Sequence, residues 1–320
     1  MSGIHDKDRQ LYTCQDLLSW SPPPIQRIIA GGILNIQNRM VIFGDEGSYK
    51  SMLAQHTAHC LSRGSTWFGF DTNPCNVYKL QVELPLYMER ARLEKYSIAS
   101  KRIYLVHLNG NKPKCTKAEL DILSNNYAYP TNIINRTEQF INIDEKYGFD
   151  SLKRNIELTI TELPNRPLVV ILDPLYKMFN RDLSSEVDIK PLFDKIDVLM
   201  NDLYEKSKVG VSFIIIHHTR KSKLDEEGVP ISVGSQDAFG GRAFAWWADT
   251  MLRVDPVLSD RTDTKITMTF TKHRNADTVL PITTIQWDRD TLHPRILNRY
   301  IPQDKDSLGI RSSIDLASLE

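Results

Sequence analysis

The chain has 320 residues, 41% of them apolar and 25% charged, enough to bury one large core or two modest ones. Forty Lys and Arg balance forty Asp and Glu, so the net charge of zero carries no overall signature for nucleic acid or an anionic membrane, and any such contact must come from local patches. Cys14, Cys60, Cys75 and Cys115 show no C-x-x-C spacing, which argues against a zinc site or a disulfide framework, and no apolar run is long enough to span a bilayer. With no signal-peptide pattern in MSGIHDKDRQ, the expectation is a cytoplasmic protein with reduced thiols and no membrane partner.

Residues 1–27 are polar, include Ser21-Pro22-Pro23-Pro24, and read as a lead-in segment. Met40-Val41-Ile42-Phe43 is a short β-branched and aromatic run ending at Gly44, and residues 51–62 follow with Leu53, Ala54, Ala58 and Leu61 at helical spacing. Further strands are predicted at Val77–Val82, Ile103–His107, Leu168–Leu172 and Val211–Ile216, with helices near 86–97, 147–162 and 189–206. Such alternation implies an α/β fold, a mostly parallel twisted sheet with helices on both faces. From about residue 250 the pattern becomes strands joined by short turns, at Thr250–Val254, Lys265–Lys272 and Ile282–Trp287, which read as antiparallel strands extending one sheet edge. The ATPase domain is accordingly drawn over 28–300, with 301–320 a polar tail.

Between the first strand and helix lies Gly44-Asp45-Glu46-Gly47-Ser48-Tyr49-Lys50-Ser51, against the phosphate-loop pattern G-x-x-x-x-G-K-[ST]. Small residues let successive N–H groups turn onto phosphates, Lys50 neutralises the β and γ oxygens of ATP, and the Ser51 hydroxyl ligates Mg²⁺. Gly44 to Ser51, with Met52 after them, are therefore the nucleotide-binding candidates. The departure is Tyr49, where a glycine normally precedes the lysine, so the backbone there must accept a Cβ and a ring. A glycine-rich turn without a ligand is the competing reading.

Asp173 ends the apolar run Leu168–Leu172 and so lies at the C-terminal end of a central strand, where a carboxylate reaches Mg²⁺; capping a helix before Pro174 is the alternative. Glu83 follows the strand ending at Val82 and is the candidate general base, whereas Glu89 and Glu94 read as solvated positions of the next helix. His217-His218 closes a third strand; neighbours on a strand face opposite ways, so the pair does not chelate one ion, and His218 is the better candidate to read the γ-phosphate, His217 being as well explained by packing. The loop from Thr219 to Gly241 is long, with Arg220, Lys221 and Lys223 offset by Asp225, Glu226 and Glu227; single-stranded DNA contact and a solvated loop are both open. Lys272 and Arg274, two apart at the end of a late strand, could reach a γ-phosphate on a neighbouring subunit.

Taken in order, GDEGSYKS, VYKLQVE, LVVILDP, FIIIHH, GSQDAFGGRAFAWWADTMLRV and FTKHRNAD resemble the RecA-type motor ATPases, particularly the branch of RepA-type and DnaB-type hexameric replicative helicases, over roughly residues 25–290. The resemblance implies a RecA-like sheet and a ring of subunits, a hexamer in that branch, with ATP and Mg²⁺ at each interface. It would make Glu83 the base, Asp173 the metal-linked acid and His218 the polar sensor, with Lys272 and Arg274 acting in trans. An acid at the third loop position, here Glu46, and an aromatic before the lysine both occur in recombinases of the superfamily. No primase, zinc or linker domain is recognisable ahead of residue 25, which predicts a bare motor domain. A ring-forming helicase, a recombinase-like DNA filament and a nucleotide-gated regulatory ATPase acting on proteins are the three functions in contention.

Overall fold

The protein is described by a computed structural model over residues 13–21, 26–96, 133–137, 141–218, 241–257 and 264–302. The strand expected at Ile103–His107, the loop 219–240 and the tail from residue 303 lie outside these residues.

Within the lead-in, where no element was expected, Cys14–Ser19 forms a short helix (α1) with no buried side chain. Thr13 and Asp16 close it reciprocally: the Asp16 N–H donates to Thr13 Oγ1 at 3.1 Å and the Thr13 N–H to the Asp16 carboxylate at 2.8 Å. Arg27–Ile29 (β1) and Leu34–Asn35 (β2) then make a small antiparallel pair.

The main sheet has nine strands among the described residues. They are β3 (Arg39–Gly44), β4 (Asn76–Gln81), β5 (Ile133–Thr137), β6 (Leu168–Asp173), β7 (Val211–His218), β8 (Thr250–Pro256), β9 (Lys265–His273), β10 (Ile282–Trp287) and β11 (Pro294–Tyr300). Their order is β11-β10-β9-β8-β3-β7-β6-β4-β5. Every pair from β8 to β5 is parallel, and β9, β10 and β11 add antiparallel strands beyond β8. The α/β class and the antiparallel extension are as the sequence predicts. The edge strands β5 and β11 were not anticipated: Ile133–Thr137 interrupts its apolar pair with Asn and Arg, and β11 starts at a proline and is almost wholly exposed.

Helices cover both faces: α2 (Lys50–Arg63), α3 (residues 86–96), α4 (Lys146–Glu162), α5 (Glu186–Ser207) and α6 (Gly241–Trp247). Alternation along β3 divides the core. Val41 and Phe43 pack with Leu152 and Ile156 of α4, Phe193 of α5 and Phe244 of α6. Met40 and Ile42 pack with Leu53 and Ala54 of α2 on the opposite face. All six residues of β4 and of β6 are buried, as central parallel strands require. No helix among the described residues is long and apolar enough to cross a membrane.

Register sets the site. Gly44 pairs with His218, and Gln81 with Asp173, so β3, β7, β6 and β4 all finish at one edge of the sheet.

Candidate active site

Leaving β3, the chain turns through Gly47 at φ +78° and Tyr49 at φ 61°, ψ 21° before α2 begins at Lys50. Gly44 has no room for a side chain: a Cβ there would lie 2.1 Å from the Val254 carbonyl oxygen on β8 and 2.9 Å from Ser48 Oγ. Tyr49 does occupy the left-handed region that its position demands, at a conformational cost for a residue with a Cβ. Its ring lies roughly parallel to Trp287 of β10, centroids 6.3 Å apart at 22°.

Lys50 is buried and turns its ammonium back over the loop, donating to the Asp45 carbonyl and, at 3.1 Å, to Ser48 Oγ. Burial lowers its pKa from 10.5 to about 8 in spite of the nearby carboxylates of Asp173, Asp45, Glu83 and Glu46. The next residue, Ser51, donates its hydroxyl to Asp173 Oδ1 at 3.0 Å. Asp173 is 1% exposed, and its Oδ2 is buried with no hydrogen-bond partner among the described residues. Burial raises the carboxyl pKa, opposed by Lys79 and the Ser51 hydroxyl. A hard hydroxyl oxygen beside a carboxylate with an unused buried oxygen is a donor set that fits Mg²⁺.

Glu83 is fixed by its own strand end: its backbone N–H and that of Leu84 donate to Gln81 Oε1 at 2.6 and 2.8 Å. Its carboxylate accepts the Tyr176 hydroxyl at 3.1 Å. Desolvation, then the Glu83 charge, pushes the Tyr176 phenol up to about 12, so it stays a donor. Tyr176 also meets the His218 ring edge-on, centroids 4.6 Å apart. Partial burial and the Lys50 charge lower the His218 pKa, which favours neutral imidazole. His217 turns the other way into the core, fully buried and stacked on Phe244 at 4.4 Å.

These groups line one cleft of about 390 Å³: Glu46 to Met52 along the loop and α2, with Glu83, Asp173 and His218 from the ends of β4, β6 and β7. Two residues were missed by sequence reasoning. Tyr176 follows the strand by three positions, a spacing without a signal of its own, and Arg92 enters the cleft from α3. A larger cleft, about 660 Å³, opens around Pro164, Arg166 and Lys208 and contains none of these groups.

The reading of Glu89 as solvated is corrected. It is buried, and its carboxylate accepts a 2.6 Å bond from Lys79 Nζ, which also donates to Gln55 Oε1 of α2 at 2.9 Å. A lysine in the middle of a fully buried strand needs such a partner. Glu94 is exposed and pairs with Arg90 at 2.9 Å.

Lys272 and Arg274 stand outside the cleft. Lys272 is opposite Met251, which is level with Val41 near the start of β3, towards the sheet edge away from Gly44. Its ammonium donates to the carbonyls of Ala245 and Ala248, and Arg274 donates to the Trp246 carbonyl and to Asp249 Oδ1, each at 3.2 Å. Both cations thus hold the C-terminal end of α6, a favourable place for positive charge. Asp249 also accepts from the backbone N–H of Arg39, at the base of the phosphate-loop strand, at 3.0 Å.

A strand, a phosphate-shaped loop and a helix, flanked by acids at adjacent strand ends, are matched by a family described as an AAA domain (AAA_25), which covers residues 9–223. The chain belongs to this AAA-domain family. Its fold is shared with a solved structure of an isolated ATPase domain, at TM-score 0.57 and 12% identity, over 82% of this chain and 85% of that one. It is shared also with the structure of "a DnaB-like replicative helicase and its interactions with primase", at TM-score 0.56 and 11% identity, over 88% of this chain and 65% of that one. No curated protein sequence matches it. The AAA domain is thus a RecA-like P-loop NTPase domain, related in fold to the ATPase domains of DnaB-type helicases.

Proposed function

We propose that the AAA domain, drawn over residues 28–300, binds ATP with Mg²⁺ in this cleft, hydrolyses it, and works as one subunit of a ring-shaped motor on single-stranded DNA. The observation that carries the reading is the convergence of Lys50, the Ser51–Asp173 pair, Glu83 and His218 on one cleft from four separate strand ends.

In this reading the loop N–H groups and the start of α2 receive the phosphates, and Lys50 exchanges its contacts with Asp45 and Ser48 for phosphate oxygens. Ser51 and Asp173 hold Mg²⁺, which supplies neutralisation of charge on the β- and γ-oxygens. Glu83, oriented by Tyr176, takes a proton from the attacking water as its oxygen bonds to the γ-phosphorus and the bond to the ADP oxygen breaks. His218 contacts the γ-phosphate, and Arg92 adds a cation from the same subunit. Lys272 and Arg274 are too far along the sheet to act on their own cleft, which favours a role on the neighbour's nucleotide. The loop 219–240 joins β7, ending in His218, to α6, whose end Lys272 and Arg274 hold. Nucleotide state on either side therefore has a short route to the candidate DNA loop, with Arg220, Lys221 and Lys223 for phosphate contacts.

The test is ATP turnover with and without single-stranded DNA, on wild type and Lys50→Ala, beside particle images with an ATP analogue. DNA-stimulated hydrolysis that Lys50→Ala abolishes, and closed rings, are expected; no stimulation together with no DNA binding sinks the motor reading. A helical filament would select the recombinase-like alternative. The net charge of zero favours, as second reading, a regulatory ATPase acting on proteins, for which nucleotide-dependent partner binding without DNA stimulation is the signature.

A further inference from the structure

Resting on the nucleotide reading above, we infer that Tyr49 is the platform on which the base of the bound nucleotide stacks, so that this site takes purine nucleoside triphosphates by ring contact and phosphate charge. Sheet order gives the direction. His218, Asp173 and Glu83 end β7, β6 and β4, which all lie on one side of β3. A triphosphate whose γ end faces these groups trails its ribose and base to the other side, towards β8, β9 and β10. Tyr49 leans that way, against Trp287 of β10.

At that end the cleft is lined by Tyr49 and Met52, both half-buried, whereas its charged groups belong to the phosphate end. Every base has a π-face, and an aromatic ring receives it whatever its edge carries. Two local costs coincide at the same pair. Tyr49 holds a left-handed backbone at φ 61°, and Trp287 Nε1 is buried with no hydrogen-bond partner among the described residues. Strain and unmet donors persist where surroundings over-determine them, and functional sites are where they gather. Here the surroundings are a cleft mouth, and what the two costs maintain is a backed aromatic surface. Trp287 fixes the ring from behind, so Tyr49 loses little freedom when a base covers it.

Calorimetry of the full chain with Mg²⁺ and, in turn, ATP, GTP and inorganic tripolyphosphate tests this. Wild type should bind ATP and GTP alike, both tighter than tripolyphosphate by roughly 5- to 150-fold. Tyr49→Gly, which also relieves the backbone, should bring ATP and GTP down to the tripolyphosphate affinity, and Tyr49→Asn, tolerant of positive φ, should do the same. Tyr49→Phe should keep the wild-type ratio. Comparing ratios cancels any general change in phosphate affinity from restoring the loop glycine, and tripolyphosphate binding reports that the variant loop is folded. An ATP-to-tripolyphosphate ratio unchanged in the ringless variants, or absent in wild type, overturns the stacking role alone. Failure of wild type to bind any of the three overturns the nucleotide site and this inference with it.

Discussion

Lys79 and Glu89 give the sharpest test of the packing around the cleft. Their side chains are 2% and 4% exposed and their charged atoms 2.6 Å apart, so neither charge has water to fall back on. Lys79→Met removes one charge at nearly constant length and leaves the Glu89 carboxylate buried without its cation. Breaking such a pair costs about 3–5 kcal/mol, whereas replacing both partners by apolar residues is often neutral or stabilising. Lys79→Met and Glu89→Leu should therefore each lower stability by about 3–5 kcal/mol, a Tm loss of roughly 5–15 °C, and the double variant should return close to wild type. Urea and thermal unfolding of the four proteins at pH 7 complete the cycle. The reasoning fails if either single change costs less than about 1 kcal/mol, the value of an exposed pair, or if the double variant is the sum of the singles. Arg92 lies three residues beyond Glu89 on the same helix face, so the singles should also weaken nucleotide binding while the refolded double variant regains it.

Lys50 sets a pH dependence with opposite signs for stability and binding. Because burial lowers its pKa from 10.5 to about 8, the folded nucleotide-free chain gives up the proton first, and this group adds stability as pH rises from about 8 towards 10.5. Phosphate binding needs the ammonium, so the Kd for Mg²⁺-ATP should weaken up to about tenfold per pH unit above about 8, measured by titration at fixed ionic strength. Glu83→Gln should cut turnover by roughly 10²–10⁴ with nucleotide binding retained, as the loss of a general base does; single-turnover hydrolysis within tenfold of wild type would exclude that role. Gly44→Ala drives a Cβ to 2.1 Å from the Val254 carbonyl oxygen and should destabilise the domain by about 1–3 kcal/mol in thermal unfolding. Mixing Arg274→Ala with Glu83→Gln protein should recover ATPase activity absent from either alone, since some interfaces then carry both wild-type groups; no recovery argues against action in trans.

Much of the fold was legible because its signals are local. Continuous apolar runs at 40–43, 168–172 and 211–216, each ending in a polar or glycine residue, mark central parallel strands and the side on which they finish. Their elements appear as β3, β6 and β7, the last two extended to Asp173 and His218. Edge strands escaped notice because they are half-exposed and carry no periodicity to read, as β11 illustrates.

What the sequence alone determined is the phosphate loop itself, GDEGSYKS between a strand and a helix, and the list of acids and histidines at strand ends. Those follow from chain-local rules of burial and turn geometry. Only the tertiary structure decided that Glu89 is a buried partner of Lys79, that Tyr176 orients Glu83, that Arg92 enters the cleft, and that Tyr49 lies against Trp287, more than two hundred positions away. Strand order and register, fixed by packing over the whole sheet, bring such distant residues together, and no spacing along the chain encodes that meeting.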